Sequence, residues 1–242
     1  MKNLENDSSN FNPKIVSEYV HPEKRETITL DIEKELNGFI AFYKKHNIEI
    51  NDDFEKVIKK IWQDNQEEIR QIVKEKGFNK ILIIPGGIPL SEFAEKMKMK
   101  DGYEEGDHFK SEGSFVSAKS PDSEKTHIIL TYDVLELSDR PELGKTVGNN
   151  SYMTVANTMS LEDYLVFAKQ RFEIDGGHLD EESTTYTKTN FKDTSFVAVC
   201  GHSLSSWDKK DIISLYTVAK SDTTQKEPKS YGFRLSCIFY EK

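Results

Sequence analysis

The chain has 242 residues, of which 36% are hydrophobic and 31% charged, with 33 basic against 42 acidic side chains and a formal net charge of −9. That length suits one large domain or two small ones and is enough to bury a sizeable core. The acidic balance argues against a protein that coats nucleic acid, because the phosphate backbone is held by surplus Lys and Arg. No apolar run approaches the roughly 20 residues needed to span a bilayer. The opening Met1–Asn10 segment lacks the apolar stretch of a secretory signal, so a cytoplasmic protein with no membrane or nucleic-acid partner is expected.

Charge is uneven along the chain. Residues 1–100 carry 17 basic and 18 acidic side chains (net −1), residues 101–183 carry 7 and 18 (net −11), and residues 184–242 carry 9 and 6 (net +3). The middle third is therefore an acidic surface next to a mildly basic tail; the acidic face serves solubility or meets a basic partner or cations.

Residues 1–12, rich in Asn, Ser and Asp, are expected to be a disordered tail. Residues 13–78 read as a helical hairpin region. From Asp31 to His46, the residues Ile32, Leu36, Phe39, Ile40 and Tyr43 recur at helical spacing. A second helix is predicted to start near Asp52, which would cap it, and to stop at Gly77. Its apolar stripe is Phe54, Val57, Ile58, Ile61, Trp62, Ile69, Ile72 and Val73, which makes Trp62 a core residue.

Residues 79–242 read as an α+β domain with a β-rich C-terminal part. Lys80–Ile84 is an apolar run closed by Pro85-Gly86-Gly87, hence a buried strand and a turn. A short helix is expected over 91–99, then strands at Phe115-Val116 and His127–Val134. Ser160-Leu-Glu-Asp163 resembles a capping box with Asp in place of Glu, opening a helix that Gly176-Gly177 closes. In the tail, 195–200, 211–219 and 231–240 are rich in β-branched and aromatic residues and read as antiparallel strands. In the last, Phe233, Leu235, Cys237 and Phe239 are expected to share one buried face. Helices first and strands last, without βαβ alternation, favours α+β over a doubly wound sheet.

Several motifs suggest chemistry. Phe196-Val-Ala-Val-Cys200 followed by Gly201-His-Ser-Leu-Ser205 resembles the strand and nucleophile elbow of lipase-like α/β-hydrolases, with Ser203 as nucleophile. The final Gly of that pattern is Ser205 here, and no His follows Ser203 where the fold's Ser, acid, His order needs one. Gly144-Lys145-Thr146 matches the end of a phosphate-binding loop, but Asp139 occupies the position of its first Gly and would repel phosphate. The acidic stretches Gly102–His108 and Asp175–Glu182 match neither a calcium loop nor a zinc helix and read as solvated loops. Cys200 and Cys237 fall on two tail strands that could face one another, and reduced core thiols are expected. No catalytic set, metal site or cofactor is assigned.

The tail ends in Tyr231-Gly-Phe-Arg-Leu-Ser236 behind a loop that carries Trp207. This resembles the end of the C-type-lectin-like fold, as in formylglycine-generating-enzyme-type domains, over about residues 184–242. The resemblance implies a late core strand with a closely packed Gly and an Arg buried in polar contacts. Oxidase members use two neighbouring reactive cysteines, a spacing Cys200 and Cys237 do not reproduce, so that activity is not implied. Binding members use the loops before the last strand as a recognition face, as do the variable proteins of diversity-generating retroelements. The corresponding stretch here is Ser203–Ser230, with Ser203, Ser205, Trp207 and Tyr216 as ligand-binding candidates. The centre, 80–182, is reminiscent of uncharacterised bacterial proteins through its Pro-Gly-Gly turn, Arg140–Leu143 and Leu161–Phe167. The expected function is non-catalytic binding of a protein or small molecule through loops of the C-terminal region. A serine hydrolase centred on Ser203, with His202 or another His recruited from upstream, and a structural or phage-associated protein are the alternatives.

Overall fold

Asp31 opens the first helix by accepting a hydrogen bond from Lys34 N at 3.1 Å, which satisfies one of the amides a helix start leaves unpaired. The computed structural model describes residues 31–98, 100–102, 118–119, 123–135, 158–180, 184–191, 195–200, 212–219 and 231–241. Helix α1 (Ile32–Lys45) carries Glu33 and Glu35 in its first turn and Lys44 and Lys45 in its last, matching the helix dipole. It buries Leu36, Phe39, Phe42 and Tyr43. Helix α2 (Phe54–Lys76) buries Phe54, Ile58, Ile61, Trp62, Asn65 and Ile69, so Trp62 is core as expected. The one amide in this stripe, Asn65, donates to Ile61 O at 2.7 Å. Gly77 ends the helix at φ 72°, a left-handed turn that favours glycine. The start differs from expectation: Asp53, not Asp52, holds the cap position, and its side chain makes no capping bond. Phe54 N instead bonds to Asn51 O at 2.9 Å, so a backbone turn does the work.

Strand β1 (Lys80–Ile84), strand β4 (His127–Thr131) and strand β9 (Ser236–Phe239) form an antiparallel sheet in the order β1-β4-β9. Every residue of β4 is buried, as fits a central strand covered on both faces. Helix α1 packs on β1 and α2 on β4. Helix α3 (Leu90–Lys96) follows the glycine turn after β1. Helix α4 (Leu161–Asp175) touches α3, β1 and the larger sheet's β5 (Thr184–Phe191). Its residues Leu161–Lys169 are all buried, the mark of a helix enclosed on all sides. Both helical regions and the small sheet share one apolar core.

The larger sheet is mixed. Its order is β2-β7-β6-β5-β3, where β2 is Lys100–Gly102, β3 Ala118–Lys119, β6 Ser195–Cys200 and β7 Ile212–Ala219. Strand β8 (Tyr231–Phe233) pairs with the start of β5 and β3 with its end. The β5-β6-β7 run is antiparallel, but β2 joins β7 and β8 joins β5 in parallel. The tail is thus not the all-antiparallel region expected.

The chain is an α+β protein. Its strands differ from the sequence reading in one expectation and one omission, and they answer one question that the sequence left open. Residues 231–240 do not form one strand with an apolar buried face. The segment switches sheets at Arg234-Leu235, and Arg234, Ser236 and Phe239 are the buried residues while Leu235, Cys237 and Ile238 are half-buried. Strand β5 was not anticipated. Its alternate residues Thr185, Thr187 and Thr189 are buried, a period-2 pattern written in hydroxyls rather than apolar groups. Cys200 and Cys237 lie in different sheets, opposite Ser214 and Leu130, and Cys237 is a free thiol. The strand expected at Phe115-Val116 falls outside the described residues. Among those residues no helix is long and apolar enough to cross a membrane.

Candidate functional site

Register places several strand ends at one end of the larger sheet. Strand β6 arrives there at Cys200, opposite Ser214 of β7. At the same end β7 begins at Ile212 beside Lys100, and β5 begins at Thr184 beside Tyr231. In chain order, residues 201–211 stand between β6 and β7, 181–183 precede β5 and 220–230 precede β8; all of them lie outside the described residues. Ser203, Ser205 and Trp207 belong to the first of these segments. Tyr216 lies on β7, opposite Ala198 of β6.

Next to this end stands a buried ion pair. Arg234 donates from Nη2 to Asp180 Oδ1 at 2.6 Å and from Nε to Oδ2 at 3.2 Å, with side chains 1% and 0% exposed. Its remaining donors reach Val134 O at 2.8 Å and Leu135 O at 2.6 Å. Asp180 Oδ2 also accepts from Thr185 Oγ1 at 2.6 Å. The Phe167 ring lies 5.7 Å from the guanidinium carbon. A buried charge is tolerated only when paired and hydrogen-bonded, and here both ions are. The arrangement ties the chain after β4, the turn after α4, the start of β5 and the β8–β9 switch to one point. It also corrects the reading of Asp175–Glu182 as wholly solvated, since Leu179 and Asp180 are buried and the Asp180 oxygens already have partners. The burial of Arg234 in polar contacts is the one feature implied for the Gly-Phe-Arg segment that falls within the described side chains.

The second cluster joins β4 to α4. Ser160 Oγ accepts from Asp163 N at 3.2 Å, and Asp163 Oδ2 accepts from Ser160 N at 2.7 Å, a complete capping box. The other carboxylate oxygen, Oδ1, faces His127 Nε2 at 3.0 Å. His127 Nδ1 faces Lys125 O at 2.6 Å. Burial pushes the Asp163 carboxyl up, but the charge and hydrogen bond of His127, the nearby Lys188 and the Ser160 amide outweigh it. Asp163 therefore titrates below the usual carboxylate range. Burial, and then the Asp163 charge, hold the Tyr43 hydroxyl well above its ordinary value; it donates to Ile83 O at 2.6 Å.

A hydrolase centred on Ser203 needs a histidine base, and the described histidines are engaged elsewhere. His127 is locked in the core as above. His46 sits against the Phe42 ring with Nε2 2.8 Å from Glu173 Oε1. His178 packs on Phe172 with ring centroids 5.0 Å apart. Among the described residues no group of three His, Cys, Asp or Glu side chains is placed to hold a metal ion. Sequence reasoning missed the His127–Asp163 pair and, although the resemblance implied a buried Arg, missed Asp180 as its partner. The only local signals were an Asp at the third position of a helix and an Arg within an apolar strand. Comparison with protein-family models, curated proteins and solved structures finds no match to this chain.

Proposed function

We propose that the chain is a non-catalytic binding protein whose C-terminal region has a C-type-lectin-like fold and presents residues 201–211 and 220–230 as its recognition face. Ser203, Ser205 and Trp207 of the first of these are its contact residues, with Tyr216 contributing from strand β7 between the two, and the partner is a protein or a small molecule. The observation that carries this reading is the register of β5, β6, β7 and β8. It puts the end of β6 and the starts of β5, β7 and β8 at one end of a sheet that lies beside the Arg234–Asp180 pair. Loops at one end of a rigid scaffold are the usual place for recognition. The same reading is favoured over hydrolysis because no His follows Ser203 in the chain and, among the described histidines, His127 hydrogen-bonds within the core; His202 lies outside the described residues. A reduced Cys237 thiol fits the proposed cytoplasmic setting.

The test compares the wild type with Trp207→Ala on glycan and protein arrays. The expected result is loss of the captured ligand with an unchanged melting temperature. A large fall in melting temperature would make Trp207 a core plug and remove it from the face. Esterase activity that vanishes in Ser203→Ala would overturn the binding reading in favour of the hydrolase.

A further inference from the structure

We propose that His127 and Asp163 form a buried proton latch that fastens the 123–126 turn to the N-terminus of α4 and opens when its proton is withdrawn. The case begins with a count of donors. Both ring nitrogens of His127 face oxygens, Lys125 O at 2.6 Å and Asp163 Oδ1 at 3.0 Å. A neutral imidazole has one N–H, so two such contacts require a second proton on the pair. Asp163 Oδ2 is occupied by the Ser160 amide, and the pair is 2% and 0% exposed, so no bulk water shares the load.

The latch gathers three elements. On the α4 side, Leu161 N donates to Thr189 Oγ1 at 2.7 Å and Lys188 N to Met159 O at 3.0 Å, so β5 anchors the first turn of the helix. On the other side, Thr126 Oγ1 accepts from Gly86 N at 3.0 Å and Ser123 O from Gly87 N at 2.7 Å. The turn before β4 thus carries the Pro85-Gly86-Gly87 turn with it. Among the described residues the charged and titratable groups around the pair include Lys188 of β5, which acts on Asp163, and Tyr43 of α1, on which the Asp163 charge acts. They also include Tyr240, with its ring 5.6 Å from the imidazole, and Lys125, whose Nζ lies 5.3 Å from the Tyr240 ring. Lys188 opposes a proton on His127, and the Asp163 carboxylate offsets it. When the proton leaves, an imidazole lone pair faces an oxygen in a water-free site, and swinging the 123–126 turn outward relieves that contact.

The sign follows from proton linkage. The closed form holds one proton more than the open form, so raising pH favours opening, by up to about tenfold per pH unit once the open form has lost it. The test uses the intact chain. Nitrogen-15 spectra of the wild type at pH 6–7 should show His127 with both ring nitrogens protonated. Exchange of the Gly86 and Gly87 amides, corrected for intrinsic rates, should rise with pH in the wild type and lose that dependence in His127→Gln. A neutral His127 tautomer in the wild-type spectrum, or the same pH dependence in His127→Gln, would overturn the latch. The spectrum needs only the wild type, so a variant that fails to fold leaves the proposal testable.

Discussion

Among the described side chains, the small sheet and the seam where the larger sheet meets it are held by different forces. Around the small sheet, α1, α2 and β1-β4 bring together Leu36, Phe39, Tyr43, Ile58, Ile61, Leu82, Ile83, Ile128 and Ile129, each fully buried. This layer is stabilised by apolar area removed from water, about 25 cal/mol per Å². Where the larger sheet meets it, the buried groups are Thr185, Thr187, Thr189, Asp180 and Arg234. That seam is stabilised by directional bonds, and an unmade bond there costs the desolvation of its partner. The difference predicts unlike responses to substitution. The apolar layer should lose stability in proportion to volume, whereas the seam should depend on whether partners remain matched.

Removing one partner is the sharpest probe. Arg234→Ala strands Asp180 as a buried charge and should cost about 3–5 kcal/mol by chemical denaturation. Arg234→Met combined with Asp180→Leu should cost much less than the single change, because neither charge is then left alone. A double variant at least as unstable as the single one would mean that the seam is held by packing and the contrast between the sheets is false. Gly86→Val tests steric tightness on the other side. A Cβ at Gly86 would lie 2.4 Å from Lys125 C, 2.5 Å from Thr126 N and 2.7 Å from Glu124 O, all backbone atoms that cannot rotate away. A loss of about 1–3 kcal/mol is expected in the same denaturation assay. Ser160→Ala removes the acceptor for the Asp163 amide and should cost about 0.5–2 kcal/mol.

The smallest effect is a pH dependence. The Asp163 carboxyl titrates below its ordinary range in the fold, first against burial and then with the help of His127. A group lowered in this way contributes stability above its unfolded value, near 3.9, and loses it as pH falls through the folded value. Asp163→Asn should therefore flatten part of the acid limb of the stability curve measured by urea titration at stepped pH. An unchanged acid limb would place the linkage on other carboxylates.

Local chemistry made much of the helical part legible. The Asp31 cap, the Gly77 stop, and the Ser160–Asp163 box with its Gly176 end all act within a few residues, so their signals are contiguous in the chain. Strand β1 was readable because a covered strand is apolar on both faces. Strand β5 was not, since a run of threonines and a lysine carries no apolar alternation until β8 and α4 cover it. The 231–240 segment misled for the same reason. Its apolar residues suggested one face, yet it crosses between sheets and buries Arg234 because Asp180, 54 residues away, is there to meet it. Of the candidate contact residues, sequence supplied the names, and register supplied only the end of the sheet at which Ser203, Ser205 and Trp207 are joined to it.

Sequence by itself determined both ends of α1 and α4, the Gly77 stop of α2, the apolar faces of α1 and α2 and that the class is α+β, because caps and periodicity are short-range physics. It missed the start of α2 and both ends of α3, expected over 91–99 and found at Leu90–Lys96. Tertiary structure alone decided that β9 leaves the tail to pair with β4, that Cys200 and Cys237 lie in separate sheets, and that His127 meets Asp163 and Arg234 meets Asp180. Those outcomes depend on charges and hydrogen-bonding groups brought together across 36 and 54 residues. A buried ion's worth is set by the partner that the fold delivers to it, and no local pattern in the chain encodes that meeting.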